Sequence, residues 1–212
     1  MTDHYVDLAT MDLSKVTFAK MKKFGIGGKY IAIHYNDLPF YYKSPVLSLP
    51  FGLSCWDGTK YSLNASTGGD PEHAILLEKL RAIEELALQA AVTNSMEWFG
   101  CVKSRELLAP KMSSIVKVSE KYTPNVKFQI NNDTRAFLSK TEEIDYKTIP
   151  KKSKVAVVGH LASVYVIANS TFGISNKAVH IKVTMPKDAD ETAPKFEVDS
   201  DADDEDETED QD

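Results

Sequence analysis

Residues 70–94, DPEHAILLEKLRAIEELALQAAVTN, form the strongest structural signal in this chain. Asp70 suits a helix N-cap, and Pro71 suits the first helical position. Apolar residues recur at helical spacing on one side, namely Leu76, Leu80, Ile83, Ala87 and Ala90. Charged residues occupy the other side, namely Glu78, Lys79, Arg81, Glu84 and Glu85. The pattern predicts one long amphipathic helix that ends near Asn94 and packs on a core by a single stripe.

The segment before this helix predicts strands. Residues 15–24 alternate with period two, which favours a strand, and residues 30–35 predict a second one. Gly25-Ile26-Gly27-Gly28 predicts the turn between them, so the pair reads as a hairpin. Three prolines in residues 38–52 exclude a regular central strand there, and residues 61–66 predict a short strand.

The segment after the helix also predicts strands. Met96, Trp98 and Phe99 are expected to pack just beyond the helix, and a further helical turn is expected at residues 104–108. Period-two alternation then predicts strands over residues 126–130, 155–159, 164–168 and 177–185, with a loop at residues 142–146.

This order of elements predicts the fold class. Residues 1–187 are expected to form one mainly β domain, an OB-fold-like five-stranded barrel with elaborations and one long helix. An immunoglobulin-like sandwich is the alternative, but it has no natural position for the helix.

Charge divides the chain into two parts. Residues 188–212 contain 14 of the 31 acidic side chains and one basic residue, Lys195. Residues 1–187 hold the other 24 basic and 17 acidic groups, a net formal charge of +7. A block of like charge stays solvated, so residues 188–212 are predicted to be a disordered acidic tail that acts in interactions.

Composition and motifs exclude several classes of protein. No nucleotide-binding loop, catalytic serine or zinc-protease motif is present, and the five histidines are scattered, so neither an enzyme nor a metal or cofactor site is expected. No apolar run is long enough for a membrane span, and the N-terminus does not resemble a signal peptide. Cys55 and Cys101 show no metal-binding spacing, and buried thiols in a reducing intracellular protein are expected.

Lysines and aromatic residues alternate along the N-terminal half. Residues 15–60 hold seven lysines against only Asp37 and Asp57. This mixture is typical of single-stranded nucleic-acid binding, where cations neutralise phosphates and rings stack on bases. Tyr41 and Tyr42 are adjacent, so at most one of them is expected to stack, whereas Phe18, Phe51 and Phe128 are expected in the core. The predicted contact residues are Lys20, Lys22, Lys23, Phe24, Lys29, Tyr30, Tyr41, Tyr42, Lys43, Trp56, Lys60, Tyr61, Lys154, Lys177 and Lys182.

The C-terminal part carries a family resemblance. Residues 170–183, STFGISNKAVHIKV, contain a Phe-Gly turn and a strand with the triplet Ile181-Lys182-Val183. This hairpin resembles the C-terminal signature of the single-stranded-DNA-binding proteins of nucleocytoplasmic large DNA viruses. Those proteins resemble short phage replication proteins with an OB fold and an acidic tail.

The resemblance implies sequence-independent binding of single-stranded DNA in viral DNA replication, recombination or repair. The tail would compete with DNA or recruit replication proteins, and the compartment would be the host nucleus or a cytoplasmic replication site. Two alternatives stay open. One is an acidic-tailed chaperone or adaptor for basic proteins such as histones, and the other is an RNA-binding OB domain.

Overall fold

A computed structural model describes residues 5–186 of the protein. The predicted acidic tail, residues 188–212, lies outside the described residues. The helices are α1 (Pro71–Thr93), α2 (Ser95–Phe99) and α3 (Arg105–Leu108), and 3-10 turns occur at Leu13–Lys15, Ala109–Lys111 and Tyr146–Thr148. The strands are β1 (Val16–Phe18), β2 (Lys22–Phe24), β3 (Gly28–Tyr35), β4 (Leu38–Pro39), β5 (Tyr41–Lys43), β6 (Leu47–Leu49), β7 (Leu53–Trp56), β8 (Lys60–Ser66), β9 (Met112–Ser113), β10 (Val116–Lys117), β11 (Asn125–Ile130), β12 (Arg135–Phe137), β13 (Glu143–Ile144), β14 (Ser153–Ile167) and β15 (Thr171–Thr184).

Five of these strands close a ring. The pairing runs from β6 to β8, β11, β15 and β14, and β14 pairs again with β6. Only one contact in this ring is parallel, the contact of β11 with β15 at Gln129 and Lys177. Around the ring the strands follow their order in the chain, except that β15 comes before β14. The predicted mainly β fold with a five-stranded, OB-like ring and one long helix is therefore confirmed.

Helix α1 begins and ends where the sequence predicts, and its apolar stripe is buried except for the half-buried Ala90. The Asp70 carbonyl accepts the first helical hydrogen bonds, although its side chain makes no capping bond. The prediction that Glu84 lies on the solvated side is wrong. Its carboxylate accepts hydrogen bonds from the backbone N–H of Ile115 at 2.6 Å and from Ser114 Oγ at 2.9 Å. Burial raises the pKa of Glu84. The two hydrogen bonds of its carboxylate hold residues 114–116 against the helix.

The N-terminal strand prediction needs correction. Residues 15–24 form two short strands, β1 and β2, rather than one. Both pair with β3, β1 at its Tyr35 end and β2 at its Gly28 end. The predicted hairpin about the turn at residues 25–28 is present, and its strands are β2 and β3. The ladder is interrupted between Phe18 and Lys22, where the Ala19 N–H still donates to the Ala32 carbonyl of β3 at 2.9 Å.

The two strands predicted at residues 155–159 and 164–168 are one long strand, β14. It pairs with β15 along almost its whole length, and register shifts occur between Val158 and Gly159 and between Leu161 and Ser163. Such bulges increase the local twist and bend of a strand. The N-terminal part of β14 therefore pairs with the ring strand β6, while its C-terminal part pairs with β3 outside the ring. The loop predicted at residues 142–146 contains the short strand β13, which pairs with β12.

A buried polar bridge crosses the ring where β11 and β15 barely pair. Tyr42 is fully buried, and its hydroxyl donates to Asn176 Oδ1 at 3.0 Å. Asn176 Nδ2 donates in turn to the Lys127 carbonyl at 3.1 Å. The Tyr42 ring also covers Gly159, where an added Cβ would lie 2.5 Å from the ring, so only glycine fits there. Burial raises the pKa of Tyr42, whose hydroxyl remains a neutral donor.

The structure confirms some of the predicted buried residues and contradicts others. Phe18 and Phe128 pack in the core, as do Trp98 and Phe99. The core predictions for Phe51, which is 75% exposed, and for Met96 are wrong, since both lie on the surface. Cys55 and Cys101 are both exposed, so the expectation of buried thiols is wrong as well.

Candidate nucleic-acid interface

One row of side chains crosses six neighbouring strands on the outer side of the sheet. Residues paired in register lie on the same face, and each member of the row is the register partner of the next. The row runs through β5, β14, β15, β11, β8 and β7 and consists of Tyr41, His160, Lys177, Gln129, Ser62 and Ser54. The structure thus joins distant parts of the chain into a single polar and aromatic surface.

At one end of the row, Tyr41 stacks on His160. The two ring centroids are 4.3 Å apart, and the planes are inclined by 26°. Burial, with a smaller contribution from the neighbouring charge of Lys177, lowers the pKa of His160 to about 4. The imidazole is therefore neutral at pH 7, and Lys177 supplies the positive charge at this end.

The middle of the row is polar. Ser175 Oγ donates to Gln129 Oε1 at 2.6 Å, which fixes the amide on the outer face of β11. Lys127 lies two residues before Gln129 on the same face of β11, and it is exposed. Sequence reasoning missed Lys127, Gln129 and His160, although the period-two pattern of residues 126–130 carried the signal for the first two.

At the other end lies a cleft of about 390 Å³. Trp56, 77% exposed, and Lys60 face each other across the β7–β8 hairpin. Asp57 shapes the turn by accepting from Thr59 Oγ1 at 2.6 Å and from the backbone N–H groups of Thr59 and Lys60. These bonds, with the ammonium group of Lys60 at 3.2 Å, lower the pKa of Asp57 to about 2. The cleft is lined by Trp56, Lys60, Tyr61, Ser62, Lys127, Gln129 and Ile130.

The rim of this cleft contains a second pair of rings. Tyr61 contacts Tyr146 edge to face, with centroids 5.8 Å apart. The ammonium group of Lys147 lies 5.6 Å from the Tyr61 centroid and 6.0 Å from the Tyr146 centroid. A hydrogen bond from the Lys147 backbone N–H to Asp145 holds the 3-10 turn that carries them. Sequence reasoning placed residues 142–146 in a loop and identified neither Tyr146 nor Lys147.

The hairpin of β2 and β3 divides its predicted residues between two faces. Lys22 and Phe24 lie on the face of Tyr30, which is the register partner of Lys22. Lys23 and Lys29 lie on the opposite face. Lys29 Nζ donates to the carbonyls of Trp98 at 2.8 Å and Glu97 at 3.4 Å, which ties this ammonium group to the end of α2.

The remaining predicted residues are not members of the row, although Lys43 lies on the same face of β5 as Tyr41. Lys43 is exposed, and its ammonium group lies 4.2 Å from the centroid of the Tyr5 ring. Lys154 lies six residues before His160 on β14, which is about 20 Å at roughly 3.3 Å per residue. Lys182 lies towards the same end of β15, and Lys20 lies outside any strand.

Tyr42 must be removed from the predicted contact residues. Its ring is enclosed in the core and its hydroxyl is used by Asn176, so no base can reach it. Of the adjacent pair, Tyr41 is the residue on the outer face.

The described residues show neither a metal-binding cluster nor a helix that could cross a membrane. Within residues 5–186, no group of three or more histidine, cysteine or acidic side chains is arranged to hold a metal ion. In the same range, no helix combines the length and apolar character needed to cross a membrane.

The fold is similar to that of a solved phage protein. The crystal structure of gp2.5, a single-stranded DNA-binding protein encoded by bacteriophage T7, matches with a TM-score of 0.51 and 16% sequence identity. The match covers 72% of this chain and 97% of that chain, and it supports a common fold. No curated protein matches the sequence. Residues 73–198, more than half of the chain, match the model of a family of unknown function, DUF5871, and the protein therefore belongs to this family.

Proposed function

We propose that this protein binds single-stranded DNA without sequence preference and has no catalytic role. The observation that carries the proposal is the outer row with its two aromatic ends. Tyr41 on His160 lies at one end, and exposed Trp56 lies at the other, with lysines between them. OB folds bind oligonucleotides on the face of their second and third strands, which here are β8 and β11.

The chemistry of the row suits a backbone-directed contact. Lys127, Lys177 and Lys60 lie on one face, where their charges can neutralise phosphates, and exposed Trp56 offers a ring to a base of any identity. Gln129 and Ser62 add hydrogen-bonding groups that serve phosphates and sugars without reading base edges. Similarity of fold to a phage protein that binds single-stranded DNA supports the same ligand.

The proposal includes a role for the acidic tail and a biological context. Residues 188–212 would compete with DNA for the lysines of the face or recruit basic surfaces of replication proteins. The resemblance to proteins of nucleocytoplasmic large DNA viruses favours work in viral replication, recombination or repair. The site of action would be the host nucleus or a cytoplasmic replication site.

Fluorescence anisotropy of labelled oligo-dT, measured with the full chain at two salt concentrations, tests the ligand. We expect tighter binding to oligo-dT than to a duplex of equal length. We also expect the affinity to fall with salt, because each neutralised phosphate releases about 0.7 counterion on a single strand. The double substitution Lys127→Gln and Lys177→Gln should reduce the slope of log affinity against log salt by about 1.4.

The matched control is Lys121→Gln with Lys140→Gln, two exposed lysines outside the row, which should leave the slope unchanged. Absence of oligo-dT binding, or a preference for duplex, would contradict the proposal. Tighter binding to oligo-U than to oligo-dT would reassign the face to RNA. Replacing the acidic residues of 199–210 by their amides should tighten oligo-dT binding at low salt if the tail competes.

A further inference from the structure

The hairpin of β2 and β3 ends in an exposed apolar tip. Phe24 is 75% exposed and Ile26 is fully exposed, and Ile167 lies beside them because it pairs with Gly28. A single exposed apolar residue is ordinary on a protein surface. Three of them grouped together, two on the hairpin and one at the end of β14, indicate a contact surface.

The base of this hairpin is held firmly. Residues 28–32 of β3 pair with β14, and the Gly27 carbonyl accepts from the Ala168 N–H at 3.3 Å. The ammonium group of Lys29 is bound by two carbonyls at the end of α2. Gly25 and Gly27 form the tight turn with φ of +54° and +74°, which glycine adopts at little cost. The tip is thus presented by an anchored element.

Charge around the tip selects an anionic ligand. Residues 15–36 contain five lysines and no acidic side chain. Lys22 and Lys23 immediately precede Phe24, and both are exposed. A ligand for this tip therefore combines negative charge with an apolar surface. The exposed end of a stacked nucleic-acid duplex has this combination, and so does an anionic membrane.

Position favours nucleic acid. Phe24 and Lys22 lie on the face of Tyr30, and Tyr30 is in register with Tyr165 on β14. Tyr165 is paired with Gly173 on β15, which lies on the same face as Lys177 four residues later. The apolar tip is therefore at the end of the face that is proposed to carry the single strand.

We infer that the tip binds the junction between single-stranded and duplex DNA. Phe24 and Ile26 contact the terminal base pair, while the adjoining single strand follows the outer face. The inference rests on the proposed function. Apolar side chains contact and unstack bases in this way in proteins that insert wedges between base steps, and the flanking lysines neutralise the phosphates on either side of the junction.

The test compares two labelled DNAs with the full-length protein. One is oligo-dT, and the other is the same oligo-dT joined to a closed hairpin duplex. We expect the junction to bind roughly 5- to 150-fold more tightly, the range of one stacking contact. The double substitution Phe24→Ser and Ile26→Ser should abolish this preference, so that the variant binds the junction no more tightly than it binds oligo-dT. The matched control, Val118→Ser with Tyr122→Ser, removes apolar side chains of similar exposure elsewhere and should retain the preference.

Two outcomes would overturn the inference alone. One is oligo-dT binding without a junction preference, and the other is a preference that survives the Phe24 and Ile26 substitutions. Sedimentation with phosphatidylserine vesicles is a parallel arm. Vesicle binding that depends on Phe24 and Ile26, without a junction preference, would assign the tip to a membrane and overturn the inference. Failure to bind oligo-dT at all would overturn the proposed function and this inference together.

Discussion

Tyr41 and Tyr42 are neighbours on β5, yet they occupy opposite sides of the same sheet. Tyr42 points into the ring, where it fills the space above Gly159 and bonds to Asn176. Tyr41 points outward, where it stacks on His160 in the row that reaches Lys177. The comparison teaches that one residue of register separates a core position from a candidate contact position, although the two side chains are chemically identical.

Substitutions of the inward-facing Tyr42 should produce the largest effect on stability. Tyr42→Ala removes a fully buried ring, so we expect a loss of about 3–5 kcal/mol in the free energy of unfolding, measured with urea. Tyr42→Phe keeps the ring and leaves Asn176 without its donor, which should cost about 1–3 kcal/mol. Tyr41→Phe is the matched control, and we expect no measurable change. Equal losses for the two Phe variants would contradict the assignment of inner and outer sides.

Substitutions on the outer face should lower the affinity for oligo-dT and leave the free energy of unfolding almost unchanged. Trp56→Ala removes an exposed ring, so its free energy of unfolding should stay within about 0.5 kcal/mol of the parent. Affinity for oligo-dT should fall by about 1–3 kcal/mol, the value of one stacked base. Phe51→Ala is the control, because Phe51 has almost the same exposure but lies off the row. A larger loss for Phe51→Ala than for Trp56→Ala would move the candidate surface away from β7 and β8.

An effect confined to acidic pH should come from His160. Its folded pKa of about 4 lies below the usual value of 6.5, so the unfolded chain binds more protons between these values. The contribution of His160 to the free energy of unfolding is therefore fully present above pH 6.5 and is lost as the pH falls towards 4. His160→Gln should flatten this part of the stability profile, measured by urea unfolding from pH 4 to pH 7. His34→Gln provides the comparison variant, and an unchanged slope in His160→Gln would contradict the lowered pKa.

The longer elements of the fold were predictable because their patterns are local. The helix of residues 71–93 follows from its cap, its proline and its apolar stripe, and β11 follows from simple alternation. Phe128 was predictable as a core residue for the same reason. The break between β1 and β2 was not, since residues 15–24 alternate without interruption and only their pairing with two ends of β3 separates them.

The candidate site was predictable in composition but not in arrangement. An excess of lysines and rings indicated single-stranded nucleic acid, and Tyr30, Tyr41, Trp56, Lys60 and Lys177 lie on the outer face. Lys127 and His160 joined them only through pairing across β11, β15 and β14. For Glu84 and Phe51, in contrast, the residue type predicted the wrong burial. Glu84 became buried because Ser114 and Ile115 supplied hydrogen-bond donors, and Phe51 stayed exposed because no element within residues 5–186 covers it.

The sequence by itself determined the helix, the alternating strands, the mainly β class and the separation of a basic body from an acidic tail. These properties depend on spacing and composition, which act over a few residues. The tertiary structure alone decided which of two adjacent tyrosines faces out, which lysines share a face, and where the β2–β3 hairpin presents Phe24 and Ile26. These properties depend on the pairing of strands that are far apart in the chain, and the pairing partner of a strand is not encoded in its own alternation.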